Sequence, residues 1–260
     1  MKKELINNIS ICSYNVFWKI MCLDKSLLNE KINLKTLKEF KQNLLKNIFL
    51  IKNYYNPHFY CFQESSSYEE ILKIFENTKY DFHINYSEPE YMLTVWNNNL
   101  FKKQLIIDYE FEKGRPFSIF IFKDIINKNY FILMNIHSGH RENTQKSIFE
   151  PMQLIIDNYK DEINKFAIYR IIICGDFNRD ISALINKNKF SLFLNKKKFI
   201  FKSLNTNNKT CCNLNGYGLK FNSDNIIDTF NQPRIVYPLN KESWYKLKSS
   251  DHIAILSILE

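Results

Sequence analysis

Six times along this chain an apolar run ends in residues that bind ions or move protons. Asn15 closes Ser-Tyr-Asn-Val. Gln63 and Glu64 close Phe-Tyr-Cys-Phe-Gln-Glu. Asn135 and His137 lie in Met-Asn-Ile-His, and Asp176 and Asn178 in Gly-Asp-Phe-Asn. Asp224 opens Asp-Asn-Ile-Ile-Asp, and Asp251 and His252 end Ser-Ser-Asp-His. One such residue is usually a turn former. Six sets mean more, because strand ends on one edge of a sandwich can converge and loops there carry function. Glu64, Asp176, Asp224 and Asp251 supply hard oxygen ligands, and no Cys-x-x-Cys or zinc-spaced Cys/His set accompanies them. That donor set suits Mg²⁺ or Mn²⁺ rather than zinc. His137 and His252 could contact phosphate oxygens or transfer protons. A carboxylate beside either would raise its pKa and hold it in place. Asp176 with Asn178 could orient and deprotonate a water. The expected chemistry is metal-assisted hydrolysis of a phosphate ester.

Strands must position these residues. Ile9–Val16, His58–Phe62, Met92–Trp96, Phe117–Phe122, Tyr130–His137, Tyr169–Cys174, Asn225–Phe230 and Ile253–Leu259 read as strands, several apolar on both faces. Leu34, Leu37, Lys41, Leu44, Ile48 and Ile51 recur at steps of three and four, an amphipathic helix of about five turns. Further helices are expected near Tyr68–Asn77, through Met152–Phe166 with Pro151 in its first turn, and over Ile181–Leu194. Lys196–Lys198 and Asn205–Asn208 read as a turn and a loop, and no repeat or linker divides the chain. The pattern predicts one α/β domain over residues 1–260, two packed sheets with helices outside.

The chain has 260 residues, 45% of them hydrophobic, which excludes a disordered protein. Lys and Arg number 36 against 27 Asp and Glu, giving a net charge of +9. That charge fits a nucleic-acid partner. The excess of Lys, Asn, Ile, Phe and Tyr, with few Arg, fits AT-rich coding DNA equally well. The six cysteines read as free thiols in a reducing compartment. The first residues make a poor signal-peptide core, and no apolar run is long enough to span a membrane. An intracellular monomer is expected, in cytoplasm or nucleus.

The blocks Ser13–Val16, Phe62–Glu64, Asn135–His137, Gly175–Asn178, Ser223–Ile227 and Ser250–His252, in this order, resemble the endonuclease/exonuclease/phosphatase superfamily. The likeness runs from about residue 9 to residue 258. It implies the deoxyribonuclease I-like fold, a four-layer α/β sandwich of two mixed β-sheets flanked by helices. It also implies roles. Glu64 would be the main Mg²⁺ ligand, with Mn²⁺ a substitute and Asn15 and Asp251 assisting. Asp176 and Asn178 would position the attacking water, and His252, oriented by Asp224, would contact the phosphate. His137 would be the second catalytic histidine, with Glu88 or Glu90 as its acidic partner. Arg115, Asn135 and His140 would bind substrate, with Arg141 lining the groove. His58 and His83 read as core or surface histidines. Trp18 and Trp244 could stack on a base, although packing is the commoner use.

The superfamily acts on many phosphoesters, and fold alone does not choose among them. Residues 175–179 read Gly-Asp-Phe-Asn-Arg, unlike the Gly-Asp-Leu-Asn-Tyr-Arg of inositol 5-phosphatases. Asn222–Ile226 replaces the Trp-Arg-Leu-Asp-Tyr of apurinic endonucleases. The favoured expectation is a nuclease or phosphodiesterase acting on DNA or RNA. The alternatives are hydrolysis of a small, inositol or lipid phosphate, and a non-catalytic binding protein. Retention of Asn15, Glu64, His137, Asp176, Asn178, Asp224, Asp251 and His252 argues against the last.

Overall fold

The computed structural model describes residues 8–28, 32–139, 148–179, 181, 191–202, 210, 223–230, 234–236, 250, 252 and 254–259. In chain order the elements are β1 (Ile9–Asn15), α1 (Trp18–Met21), α2 (Leu34–Tyr55), β2 (Phe59–Gln63), α3 (Tyr68–Lys73), β3 (Tyr80–Ser87), β4 (Glu90–Asn97), β5 (Phe101–Glu110), β6 (Pro116–Asp124) and β7 (Tyr130–His137). Then come α4 (Phe149–Asn158), α5 (Lys160–Ile163), β8 (Ile168–Asp176), β9 (Ser191–Leu194), β10 (Lys197–Ile200), β11 (Asp224–Asp228), β12 (Arg234–Val236) and β13 (Ile255–Leu259).

Two mixed sheets form. One has six strands in the order β12-β13-β1-β2-β4-β3, the other five in the order β11-β8-β7-β6-β5, and β9 and β10 pair separately. Each large sheet contains one parallel pair, β1 with β2 and β7 with β8, whose crossovers carry α2 and α4–α5. The other pairings are antiparallel. Ile9, Ile11, Phe59, Trp96, Phe120, Phe131, Leu133, Ile172 and Ile255 meet between the sheets. Leu44, Ile48 and Ile51 of α2 cover the outer face of the first sheet, and Met152, Ile155 and Ile156 of α4 that of the second. The result is the expected four-layer α/β sandwich.

The helix α2 starts where the Asn33 side chain accepts the Thr36 N–H at 2.9 Å, and it ends at Asn56 in the left-handed region. Its buried residues recur every three or four positions. The expected helix over 152–166 begins earlier, at Phe149, and breaks at Tyr159 into α4 and α5. The helix expected over 181–194 needs correction. Ser191–Leu194 is a strand whose residues alternate between exposed and buried, with Leu192 and Leu194 packed in the α4 cluster; residues 182–190 lie outside the described set. No helix among the described residues is long and apolar enough to cross a membrane.

Candidate active site

The carboxyl ends of β1, β2, β7 and β8 point to one end of the sandwich. The antiparallel neighbours β4, β6, β11 and β13 begin there. Strand alternation then puts every second side chain on the seam between the sheets. Along β1 the seam residues Ile9 and Ile11 are followed by Ser13 and Asn15. Along β2, Phe59 and Cys61 lead to Gln63; along β7, Phe131 and Leu133 lead to Asn135 and His137; along β8, Ile172 and Cys174 lead to Asp176. The apolar seam therefore turns polar in two tiers.

The lower tier is a support. Gln63 Nε2 donates to Asn135 Oδ1 at 2.7 Å and to Ser13 Oγ at 3.4 Å, and Asn135 Nδ2 donates to Thr94 Oγ1 at 3.0 Å. Asn135, expected at the substrate, is fully buried and committed to these bonds. It underlies His137 and does not line the site.

The upper tier is the site. Asn15 Nδ2 donates to Glu64 Oε1 and to Asp176 Oδ2, both at 3.0 Å. Its Oδ1 accepts the Phe17 N–H at 3.0 Å, so Asn15 presents a donor, not an oxygen ligand, to the two carboxylates. The Trp18 N–H donates to Glu64 Oε2 at 3.1 Å. His137 Nδ1 lies 2.6 Å from Glu90 Oε2, and His252 Nδ1 lies 2.9 Å from Asp224 Oδ2. Both Nε2 atoms face Asp176 Oδ2 from 3.7 Å. Asp176 Oδ1 accepts the Asn178 N–H at 2.7 Å, and the Asn178 side chain donates to the Ser138 carbonyl. Several of these side-chain links join one sheet to the other. His137 of β7 meets Glu90 of β4, His252 before β13 meets Asp224 of β11, and Asn15 of β1 meets Asp176 of β8.

Of the two acidic candidates for His137, the structure selects Glu90; Glu88 is exposed and paired with Lys113 at 3.0 Å. Arg115 reaches the cluster, where its Nη1 donates to Glu90 Oε1 at 2.7 Å and lies 2.7 Å from His137 Nε2. Ser250, which opens the Ser-Asp-His block and had no role assigned from sequence, ties that block in place by donating to the Asn15 carbonyl at 2.9 Å and accepting the His252 N–H at 3.1 Å. The site candidates His140 and Asp251, with Arg141 and Trp244, lie outside the described residues. His58 is remote: it binds Ser10 at the opposite end of β1, and burial with Lys79 pulls its pKa down to about 4. His83 pairs with Asp108 at 2.8 Å.

Part of the backbone strain lies at this edge, while other left-handed residues, such as Asn56, Lys128 and Lys196, lie away from it. Phe17, Glu64, Ser67 and Asn178 have φ values of 55°, 54°, 58° and 52° without being glycine, a cost of about 1–3 kcal/mol each. Gly175, at φ 141°, permits a close strand approach; a Cβ there would lie 2.0 Å from the Ile136 carbonyl oxygen, beside His137.

The charges are interlocked. Burial raises the Asp176 pKa, but His252, His137 and the Asn178 N–H more than offset it, leaving the carboxyl below the usual range. Burial pulls His137 down; Glu90 pushes it up and Arg115 opposes; the net direction is upward. His137 thus stabilises the fold below the unfolded histidine pKa, and that contribution is lost as pH rises through its own higher value. Glu90→Gln is expected to reverse the shift, since only Glu64 then opposes burial and Arg115. NMR titration of the His137 ring checks this, and an unmoved midpoint would remove Glu90 as the cause.

Solved structures share this architecture. The structure of ANGEL2, a 2′,3′-cyclic phosphatase, aligns with a TM-score of 0.73 at 14% identity, covering 96% of this chain and 94% of that one. An endonuclease/exonuclease/phosphatase from Bacteroides vulgatus aligns at 0.69 and 15%, covering 97% and 98%. The fold is that of the endonuclease/exonuclease/phosphatase proteins. The human Nocturnin catalytic domain with bound sulfate shares it too, at 0.63 and 13%, covering 97% and 93%. No family model matches the chain. By sequence, an uncharacterized protein of Acanthamoeba polyphaga mimivirus is 28% identical over 265 residues, which take in 96% of this chain. The chain spans about half the length of that relative (50%).

Proposed function

We propose that the chain hydrolyses phosphodiester bonds in nucleic acid with a divalent ion, Mg²⁺ or Mn²⁺. One observation carries the reading: Asp176 faces two imidazoles at 3.7 Å, each backed by its own carboxylate, with Glu64 one amide away. Glu64 and Asp176 converge on a single donor, Asn15 Nδ2, and such an oxygen-rich pair fits a hard cation. Glu64 would hold the ion, with Asp251 expected beside it. When bound, such an ion polarises a phosphoryl oxygen and offsets the charge that builds there. Asp176, kept ionised by its neighbours, takes the proton of the attacking water, which Asn178 helps to place. His252, steadied by Asp224, binds a phosphoryl oxygen. His137, which keeps its proton above the ordinary histidine range, supplies one to the leaving oxygen.

A second reading, hydrolysis of a small or cyclic phosphate, has support of its own. Lys79, Lys102, Lys103, Lys123, Lys128 and Lys165 lie at or beyond the strand ends opposite the site, so these six cations are not gathered at the cleft. ANGEL2, a 2′,3′-cyclic phosphatase, aligns over 96% of the chain. Plasmid DNA, single-stranded DNA, RNA and a nucleoside 2′,3′-cyclic phosphate, each incubated with protein and Mg²⁺ or Mn²⁺, separate the two. Strand cleavage that EDTA and Glu64→Ala abolish is expected. Intact strands with an opened cyclic phosphate would transfer the proposal to the second reading, and no turnover of any substrate would end both.

A further inference from the structure

We propose that the Trp18 indole is the stacking surface for a nucleobase flanking the scissile phosphate, with Lys19 beside it for an adjoining phosphate. The inference rests on the nucleic-acid reading above. Trp18 opens α1, three residues beyond Asn15, and its main-chain N–H holds Glu64 Oε2 at 3.1 Å. The main chain of Trp18 is thereby anchored at the rim of the carboxylate cluster. The residue is half-buried and joins none of the apolar clusters among the described residues, although its neighbours Phe17 and Ile20 pack in one. A half-buried large aromatic outside every apolar cluster of the described residues stands apart in a chain that buries its other described tryptophan, Trp96, completely. Lys19 Nζ lies 5.6 Å from the Trp18 ring centroid, which sets a cation beside the ring. The left-handed turn at Phe17 directs the chain into this position. Ring and cation together are what a single strand requires: every base has a π-face, and every nucleotide carries a phosphate.

The test is a cycle between protein and substrate. Trp18→Ala removes the ring and keeps the main-chain N–H that holds Glu64, and Trp18→Phe keeps an aromatic. Binding is read by fluorescence anisotropy in EDTA, so that no strand is cut. The probes are a labelled single-stranded DNA 10-mer and ten versions of it, each lacking one base. Trp18→Ala is expected to weaken binding of the intact strand roughly 5- to 150-fold, what one stacked base is worth, with Trp18→Phe in between. One abasic version should bind wild type that much less well and lose nothing further in Trp18→Ala. Equal losses on all eleven strands, or none, would overturn the proposal. Cleavage of the same 10-mer by wild type in Mg²⁺ tests the nucleic-acid reading independently. If the strand is cut while the cycle shows no coupling, the stacking site fails and the enzyme reading stands.

Discussion

Asp176→Asn is expected to lower kcat roughly 10²- to 10⁴-fold with little change in KM. The carboxylate has two tasks that an amide cannot share. It accepts the proton of the attacking water, and it is the anion that both imidazoles face at 3.7 Å. The substitution is conservative in shape, and the new Oδ1 still accepts the Asn178 N–H that now reaches Asp176 at 2.7 Å. The new amide nitrogen faces Asn15 Nδ2, which now donates to Asp176 Oδ2 at 3.0 Å, so thermal melts run beside the kinetics separate lost chemistry from lost folding. His252→Ala and Glu64→Ala should fall in the same range, and the double variant Asp176→Asn with His252→Ala should cost little more than the worse single one, because the residues act as a unit. An Asp176→Asn enzyme that keeps more than about a tenth of wild-type kcat would remove Asp176 as the proton acceptor.

Arg170→Ala is expected to cost about 3–5 kcal/mol of stability. Arg170 is only 1% exposed and grips Asp228 with both arms, Nε to Oδ1 at 2.9 Å and Nη2 to Oδ2 at 2.6 Å. The pair joins β8 to β11 at the end away from the site. Removing the arginine leaves a carboxylate in a fully buried position, and water cannot repay what is lost. In a chain of this size the midpoint of thermal unfolding should fall by roughly 6–20 °C. Arg170→Met with Asp228→Leu should recover much of this, since a buried pair replaced by apolar groups is often nearly neutral. Calorimetry of the two variants beside wild type checks it; an Arg170→Ala protein within 2 °C of wild type would mean the pair is not buried as described.

Much of this molecule can be read in its sequence, and the reason is the seam. Strands buried on both faces are uninterrupted apolar runs, so β1, β2, β6, β7 and β8 stand out, and their polar ends are visible against them. Outer strands hide better. In β3, Tyr-Asp-Phe-His-Ile-Asn-Tyr-Ser leaves most residues partly exposed, and β5 alternates Lys, Gln and Asp with apolar residues, so neither is a clean run. The short strands β9 and β10 lean on α4 and have little pattern of their own. Glu90 could not be separated from Glu88 because the choice depends on hairpin register: Glu90 opposite Ser87 turns its side chain into the seam beside His137. The same alternation explains Asn135, which looked like a substrate residue by its place in Asn-Ile-His but lies one tier too deep. Trp18 was ambiguous because an aromatic after a strand packs far more often than it binds.

The pairing of each imidazole with a carboxylate from the opposite sheet has a consequence for how activity appears during folding. Neither sheet holds an imidazole together with the carboxylate that backs it, so a chain with one sheet formed, or with both formed but undocked, lacks the steadied histidines that turnover needs. Function switches on in the step that brings the two layers together. A slight parting of the layers would disable His137 and His252 at once, while leaving every helix and hydrogen-bonded ladder intact. On gentle warming or in dilute denaturant, turnover should vanish before the circular dichroism of the backbone begins to change.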